Sequence, residues 1–209
     1  ATYNKLFATQ NIQLKSNYLS RLLRGSFDEV QAIGTGIIEA NDIQFLSDYF
    51  AVTLFMVEDY TDFFEEGISM NEEEKIRMVR YAIKNVAEEM AGMQGNRGYV
   101  AEMEEIPTMI ISFAPGRIEQ SEIQLKSLCK RFKEFMESQL GITVTVSMSH
   151  VHKSLYGISI AYKETMNAME YKFVLGEGTM ISPDDVDEKI NTYYLYTNER
   201  EQALTQYIK

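Results

Sequence analysis

Residues 49–60 read YFAVTLFMVEDY, a continuous apolar run rich in β-branched and aromatic residues and closed by Glu58, Asp59 and Tyr60. Such a run predicts a strand buried on both faces, and hence a central strand. Beyond it, Ile76, Val79, Ile83, Val86 and Met90 recur at spacings of 3, 4, 3 and 4, which predicts an amphipathic helix. The preceding "NEEE" at 71–74 supplies Asn71 as a cap and three glutamates for the positive helix end, and "GNRG" at 95–98 stops the helix.

Two short strands follow, "GYVAEME" and "TMIISFA", separated by only Glu105, Ile106 and Pro107, so an antiparallel hairpin is expected. A second helix from about Glu119 to Leu140 carries Leu125, Leu128, Cys129, Phe132 and Met136 on one face and ends at Gly141. "ITVTVSM" then alternates, with Ile142, Val144, Val146 and Met148 on one side and Thr143, Thr145 and Ser147 on the other, the pattern of a half-buried strand. A third helix is expected over about Ile158–Leu175, closed by Gly176, with "TMIS" as a short edge strand. This order predicts an α+β fold with a ferredoxin-like βαββαβ core, an antiparallel sheet with helices on one face, and an extra C-terminal helix.

The chain of 209 residues is long enough to bury a core without staples, and its single Cys excludes a disulfide scaffold. Its net charge of -11 argues against broad contact with nucleic acid. The charge is uneven: residues 1–25 hold Lys5, Lys15, Arg21 and Arg24 with no acid, giving +4 and leaving -15 for the rest. Phe7, Ile12, Leu14, Tyr18, Leu19, Leu22 and Leu23 make this segment an amphipathic helix, which either packs on its own domain or pairs with its copy in a dimer. Residues 27–41 continue helically through Val30, Ile33, Ile37 and Ile38, although Gly34 and Gly36 weaken the middle. The start at Ala1 and the helical pattern running to Lys209 read as an excised piece, with no transmembrane segment or signal peptide within it.

The segment ITVTVSMSHVHKSLYGISIAYKETMNAMEYKFVLGEGTMIS, residues 142–182, resembles the C-terminal half of GGDEF-type nucleotide-cyclase domains, in the degenerate version found within large AraC-family transcriptional regulators. The pieces NYLSRLLRGSF, DYFAVTLFMVEDY, YAIKNVAEEM and GYVAEMEEIPTMIISF fall in the same order and spacing, so the resemblance covers nearly the whole chain through an ordered set rather than one motif. It implies an N-terminal basic linker helix over 1–25, a GGDEF-like domain over 26–190 and a C-terminal linker helix over 191–209. It also implies a parent receptor with a membrane-anchored sensor region upstream and a DNA-binding domain of two helix-turn-helix units downstream. This piece would lie on the cytoplasmic side, form a homodimer and make no nucleic-acid contact of its own.

In active GGDEF cyclases the hairpin glycines let the backbone approach a nucleotide, and acids on the hairpin and first strand hold divalent metal. The corresponding hairpin here reads Met103, Glu104, Glu105, Ile106, Pro107, with no glycine, and Pro107 removes a backbone donor. Part of an acidic site remains at Glu58, Asp59 and Tyr60. The resemblance therefore implies a domain that is not an enzyme, with no catalytic residues, cofactor or metal. Glu58, Glu104 and Glu105 are the candidates for a vestigial ligand site, and a nucleotide- or small-ligand receptor is the alternative function, residual cyclase activity the third.

Other chemistries have little support. His150 and His152 alternate onto one side of an extended segment, yet no further ligand lies near in sequence to complete a metal site. Cys129 sits on an apolar stripe and reads as a core residue. "GNRG" has a helix before it and a strand after it, the reverse of a phosphate loop. The glutamates at 65–66, 72–74 and 88–89 read as solvated faces and helix-start charges, and the twelve Met as core filling.

Overall fold

A computed structural model describes residues 2–33, 43–65, 69–116 and 118–186. Helix α1 (Thr2–Arg24) ends at Gly25, whose φ of +77° suits glycine, and α2 (Phe27–Ile33) follows. Next come β1 (Tyr49–Asp59), α3 (Glu72–Met93), β2 (Arg97–Met103), β3 (Ile106–Ser112), α4 (Ser121–Leu140) and β4 (Thr143–Met148). A two-residue β5 (His152–Lys153), α5 (Leu155–Glu170), α6 (Lys172–Leu175) and β6 (Met180–Ile181) complete the described elements. The expected continuation of α2 through Ile38 and the expected linker helix 191–209 lie outside the described residues.

Local signals explain where the helices start and stop. At the head of α3, Asn71 Oδ1 accepts from the Glu74 N–H at 2.8 Å and Glu74 Oε2 accepts from the Asn71 N–H at 3.2 Å, a reciprocal capping box. Three glutamates in its first turn face the positive end of the helix. Helix α4 stops at Gly141 (φ +64°), where a Cβ would lie 2.7 Å from the Cβ of Asp62, so both conformation and space demand glycine. The third helix begins three residues before the expected Ile158, at Leu155, and breaks at Tyr171 before the short α6 closes at Gly176.

Among the described residues the sheet has six strands in the order β2-β3-β1-β4-β6, with β5 also beside β1. β1 runs antiparallel to both β3 and β4, with Leu54 opposite Thr108 and Ser147, so it is the central strand expected from its apolar run. β2 and β3 form the antiparallel hairpin, and β6 joins β4 in parallel. β5 continues the line of β4 along β1 after an interruption at Ser149, whose Oγ accepts from the Val52 N–H at 3.0 Å and whose own N–H donates to the Val52 carbonyl. The result is a mixed α+β fold on a mostly antiparallel sheet.

The helices do not lie on one face. α3 and α4 cover one side through Val79, Ile83, Ala87, Leu125, Leu128 and Phe132, packed on Ala51, Phe55, Val144 and Val146. α1 and α5 cover the other through Leu19, Leu22, Leu23, Ile158 and Ala161, packed on Phe50, Val52, Leu54 and Ile110. The physical reason is in β1 itself: a strand apolar on both sides needs cover on both sides. For the same reason β4 is not half-buried, since Thr145 and Ser147 are as fully enclosed as Val144 and Val146. In α1, Tyr18, Leu19, Leu22 and Leu23 are buried against α5 and β2, each leucine contributing roughly 2 kcal/mol of apolar burial. Among the described residues no helix is long and apolar enough to cross a membrane.

Candidate functional site

The acids singled out in the sequence cluster at one end of the sheet, where β1 ends and the β2–β3 hairpin turns. β1 and β4 slip register between Val57 and Asp59, and Glu58 occupies the irregularity. Its side chain is only 6% exposed, with Oε2 2.6 Å from Lys172 Nζ and Oε1 accepting from Thr145 Oγ1. Thr145 Oγ1 in turn accepts from the Gly178 N–H at 2.9 Å. A carboxylate with a charged partner and a hydroxyl donor satisfies its own burial, and in doing so ties β1, β4 and the α6–β6 connection together.

Asp59 is exposed, while the Tyr60 ring is partly buried against the edge of the core. Asp59 Oδ1 accepts from both the hydroxyl and the N–H of Thr61, at 2.6 and 3.1 Å, and these bonds hold its carboxyl below the ordinary carboxylate range. Tyr60 donates its hydroxyl to Glu72 Oε2 at 2.9 Å, which pushes the phenol up, while Lys75 at 2.8 Å and Tyr60 hold Glu72 down. Glu58, Asp59, Tyr60, Thr61, Glu72 and Lys75 line an open cavity of about 340 Å³.

Glu104 and Glu105 are the two turn residues of the hairpin, closed by the Met103–Ile106 pair, and both have positive φ, 50° and 69°. Two-residue hairpins favour such backbone because it matches the twist of the strands, but Asn and Gly hold it with less strain than Glu. Glu105 meets Arg80 of α3 at 3.2 Å, whereas the charge of Glu104 acts on Tyr162 of α5, across the sheet. Glu104 and Glu105 line a cavity of about 200 Å³ with Met56, Val57 and Arg80, while Glu58 lines the neighbouring one. The three candidates thus share one end of the sheet, but Glu58 is paired with Lys172 and Glu105 with Arg80.

His150 and His152 are held apart by separate partners. His152 Nε2 lies 2.9 Å from Glu164 Oε1, and His150 approaches Glu122 and Asp184 at 3.8 and 3.7 Å. Glu164 also accepts from the His150 N–H at 3.0 Å, so one carboxylate fixes both the backbone of the β4–β5 interruption and the ring beyond it. Among the described residues no three His, Cys, Asp or Glu side chains converge as metal ligands. Cys129 is fully buried, and burial pushes its thiol up to about 12.

Sequence reasoning missed Lys172, Thr145 and Arg80, the partners that decide what the glutamates do. Lys172, inside the helix expected over 158–175, carried no local signal, and its 114-residue separation from Glu58 placed the pair beyond any periodicity. Compared with protein-family models and with curated proteins, the chain matches none.

Proposed function

We propose that the chain is a non-catalytic, GGDEF-like signalling and dimerisation domain of an AraC-type transcriptional regulator. In this reading its βαββαβ core is ferredoxin-like, and it sits on the cytoplasmic side between an upstream membrane-anchored sensor and a DNA-binding domain after Lys209. The observation that carries the proposal is the state of the acids: Glu58 is buried in an ion pair with Lys172 and Glu105 is held by Arg80, so neither is poised to hold a divalent cation. The burial of Tyr18, Leu19, Leu22 and Leu23 supports a relay role, because a displacement of the helix would be felt directly by α5 and β2. An upstream signal would then bias the relative placement of two copies, and with it the spacing of the DNA readers.

Incubation of the chain with GTP and Mg²⁺ or Mn²⁺ tests the non-catalytic part. No cyclic dinucleotide is expected, and its accumulation with turnover would overturn the reading. The cavity lined by Glu58, Asp59, Tyr60 and Lys75 favours one alternative, a receptor that retains nucleotide or small-ligand binding without chemistry. A calorimetric titration with guanine nucleotides and Mg²⁺ decides it, since absence of heat removes that alternative.

A further inference from the structure

Away from the acidic end of β1, the outer edge of the sheet carries the opposite charge. A cavity of about 300 Å³ lies between α1, α3 and β2, and four of its lining side chains are cations: Lys15, Arg77, Arg80 and Lys84. Among the described residues the only acid lining it is Glu102, 3.8 Å from Arg80. In a chain of net charge -11, this concentration runs against the composition. Arg77, Arg80 and Lys84 recur at spacings of 3 and 4 on α3, the spacing at which like charges repel and cost a helix a few tenths of a kcal/mol per pair. Among the described residues Arg80 is paired with Glu102 and Glu105, while Arg77 and Lys84 have no carboxylate within 4 Å. Tyr81, 68% exposed, lines the same cavity between them and offers an aromatic face.

β2 is an edge strand, so a peptide strand could in principle add here. The N–H of Val100, in the middle of the strand, is already taken by Glu88 Oε1 at 2.8 Å. An added strand would have to displace that carboxylate, whereas a compact anion in the cavity would not. The volume is at the small end of ordinary ligand sites, and guanidinium forks match phosphate oxygens.

We propose that this cleft is a binding site for a small phosphorylated molecule, with Arg77 and Lys84 on the phosphate, the more enclosed Arg80 behind them and Tyr81 against the rest of the ligand. The site is separate from the acids of β1 and does not rest on the signalling role proposed above.

Calorimetric titration of the 209-residue chain with inorganic pyrophosphate, AMP, phosphatidylglycerol vesicles and, as the uncharged control, adenosine tests it. Saturable binding of pyrophosphate and AMP is expected, weakened by added salt, with none for adenosine. The double variant Arg77→Gln/Lys84→Gln should bind about tenfold more weakly or worse, while Glu102→Gln, which removes a carboxylate from the cleft and leaves Arg80 with Glu105 alone, should bind more tightly. The gain in the second variant cannot come from misfolding. Asp59→Asn should leave the affinity unchanged, which separates this cleft from the β1 cavity. Absence of saturable binding at millimolar ligand, equal affinity in the double variant, or binding confined to phosphatidylglycerol vesicles would overturn the proposal.

Discussion

Lys172 Nζ stands 2.6 Å from Glu58 Oε2, with the two side chains only 15% and 6% exposed. A pair this enclosed is worth little net against an apolar replacement, because desolvation offsets attraction, but removing one partner strands a charge. Lys172→Met alone and Glu58→Gln alone are each expected to cost roughly 3–5 kcal/mol in urea unfolding, because each strands the other partner. The double variant Glu58→Gln/Lys172→Met should lose much less than the sum of its single changes. Additive losses would show that the ion pair does not organise this end of the sheet.

The hairpin turn makes an opposite prediction. Glu104 and Glu105 hold positive φ without a glycine, so Glu104→Asn with Glu105→Gly should stabilise the fold by about 1 kcal/mol, read as a raised midpoint in thermal or urea unfolding. The exposed Arg80–Glu105 pair lost in the exchange contributes only a few tenths. A lower midpoint would mean that the Arg80 contact, and not the backbone, governs the turn.

Much of this was legible from residues 49–60 and 71–74. The two-sided apolarity of β1 correctly predicts a central strand, and Asn71 with Glu74 correctly predicts the head of α3. The alternation in ITVTVSM misled: Thr145 and Ser147 look solvent-facing but are fully buried, the Thr145 hydroxyl satisfied by Glu58 and Gly178, the Ser147 hydroxyl without a hydrogen-bond partner among the described residues. Consistency with β1 would have corrected this, since a strand needing cover on both faces places its neighbour under the same helices. The cationic row at 77, 80 and 84 stands in the sequence at helical spacing, but a net charge summed over the whole chain averages it out.

Cys129 provides a probe of global opening. With its thiol pushed from 9.0 up to about 12 by burial, it should resist a thiol reagent at pH 8 in the folded chain and react at once in denaturant. The linkage sign follows: the unfolded thiol ionises first, so this contribution is intact below the unfolded value and is lost as pH rises towards about 12. Rapid labelling without unfolding would contradict the enclosed position between α4 and the sheet.

On the acid side, Asp59 and Glu72 are both held below the ordinary carboxylate range, by Thr61 and by Lys75 with Tyr60 respectively. Their stabilising contribution is present above that range and is lost as pH falls through the depressed folded values. Carboxyl ¹³C titration should show Thr61→Ala raising the Asp59 midpoint and leaving Glu72 where it was. An unmoved Asp59 would show that the bond from the Thr61 hydroxyl is not made in solution.

The central claim, that the domain transmits a signal by pairing, is tested most directly by sedimentation equilibrium of the intact 209-residue chain over a wide concentration range. A reversible monomer–dimer equilibrium is predicted, reaching predominantly dimer at the highest concentrations. A single species at the monomer mass of 24.1 kDa throughout would contradict it.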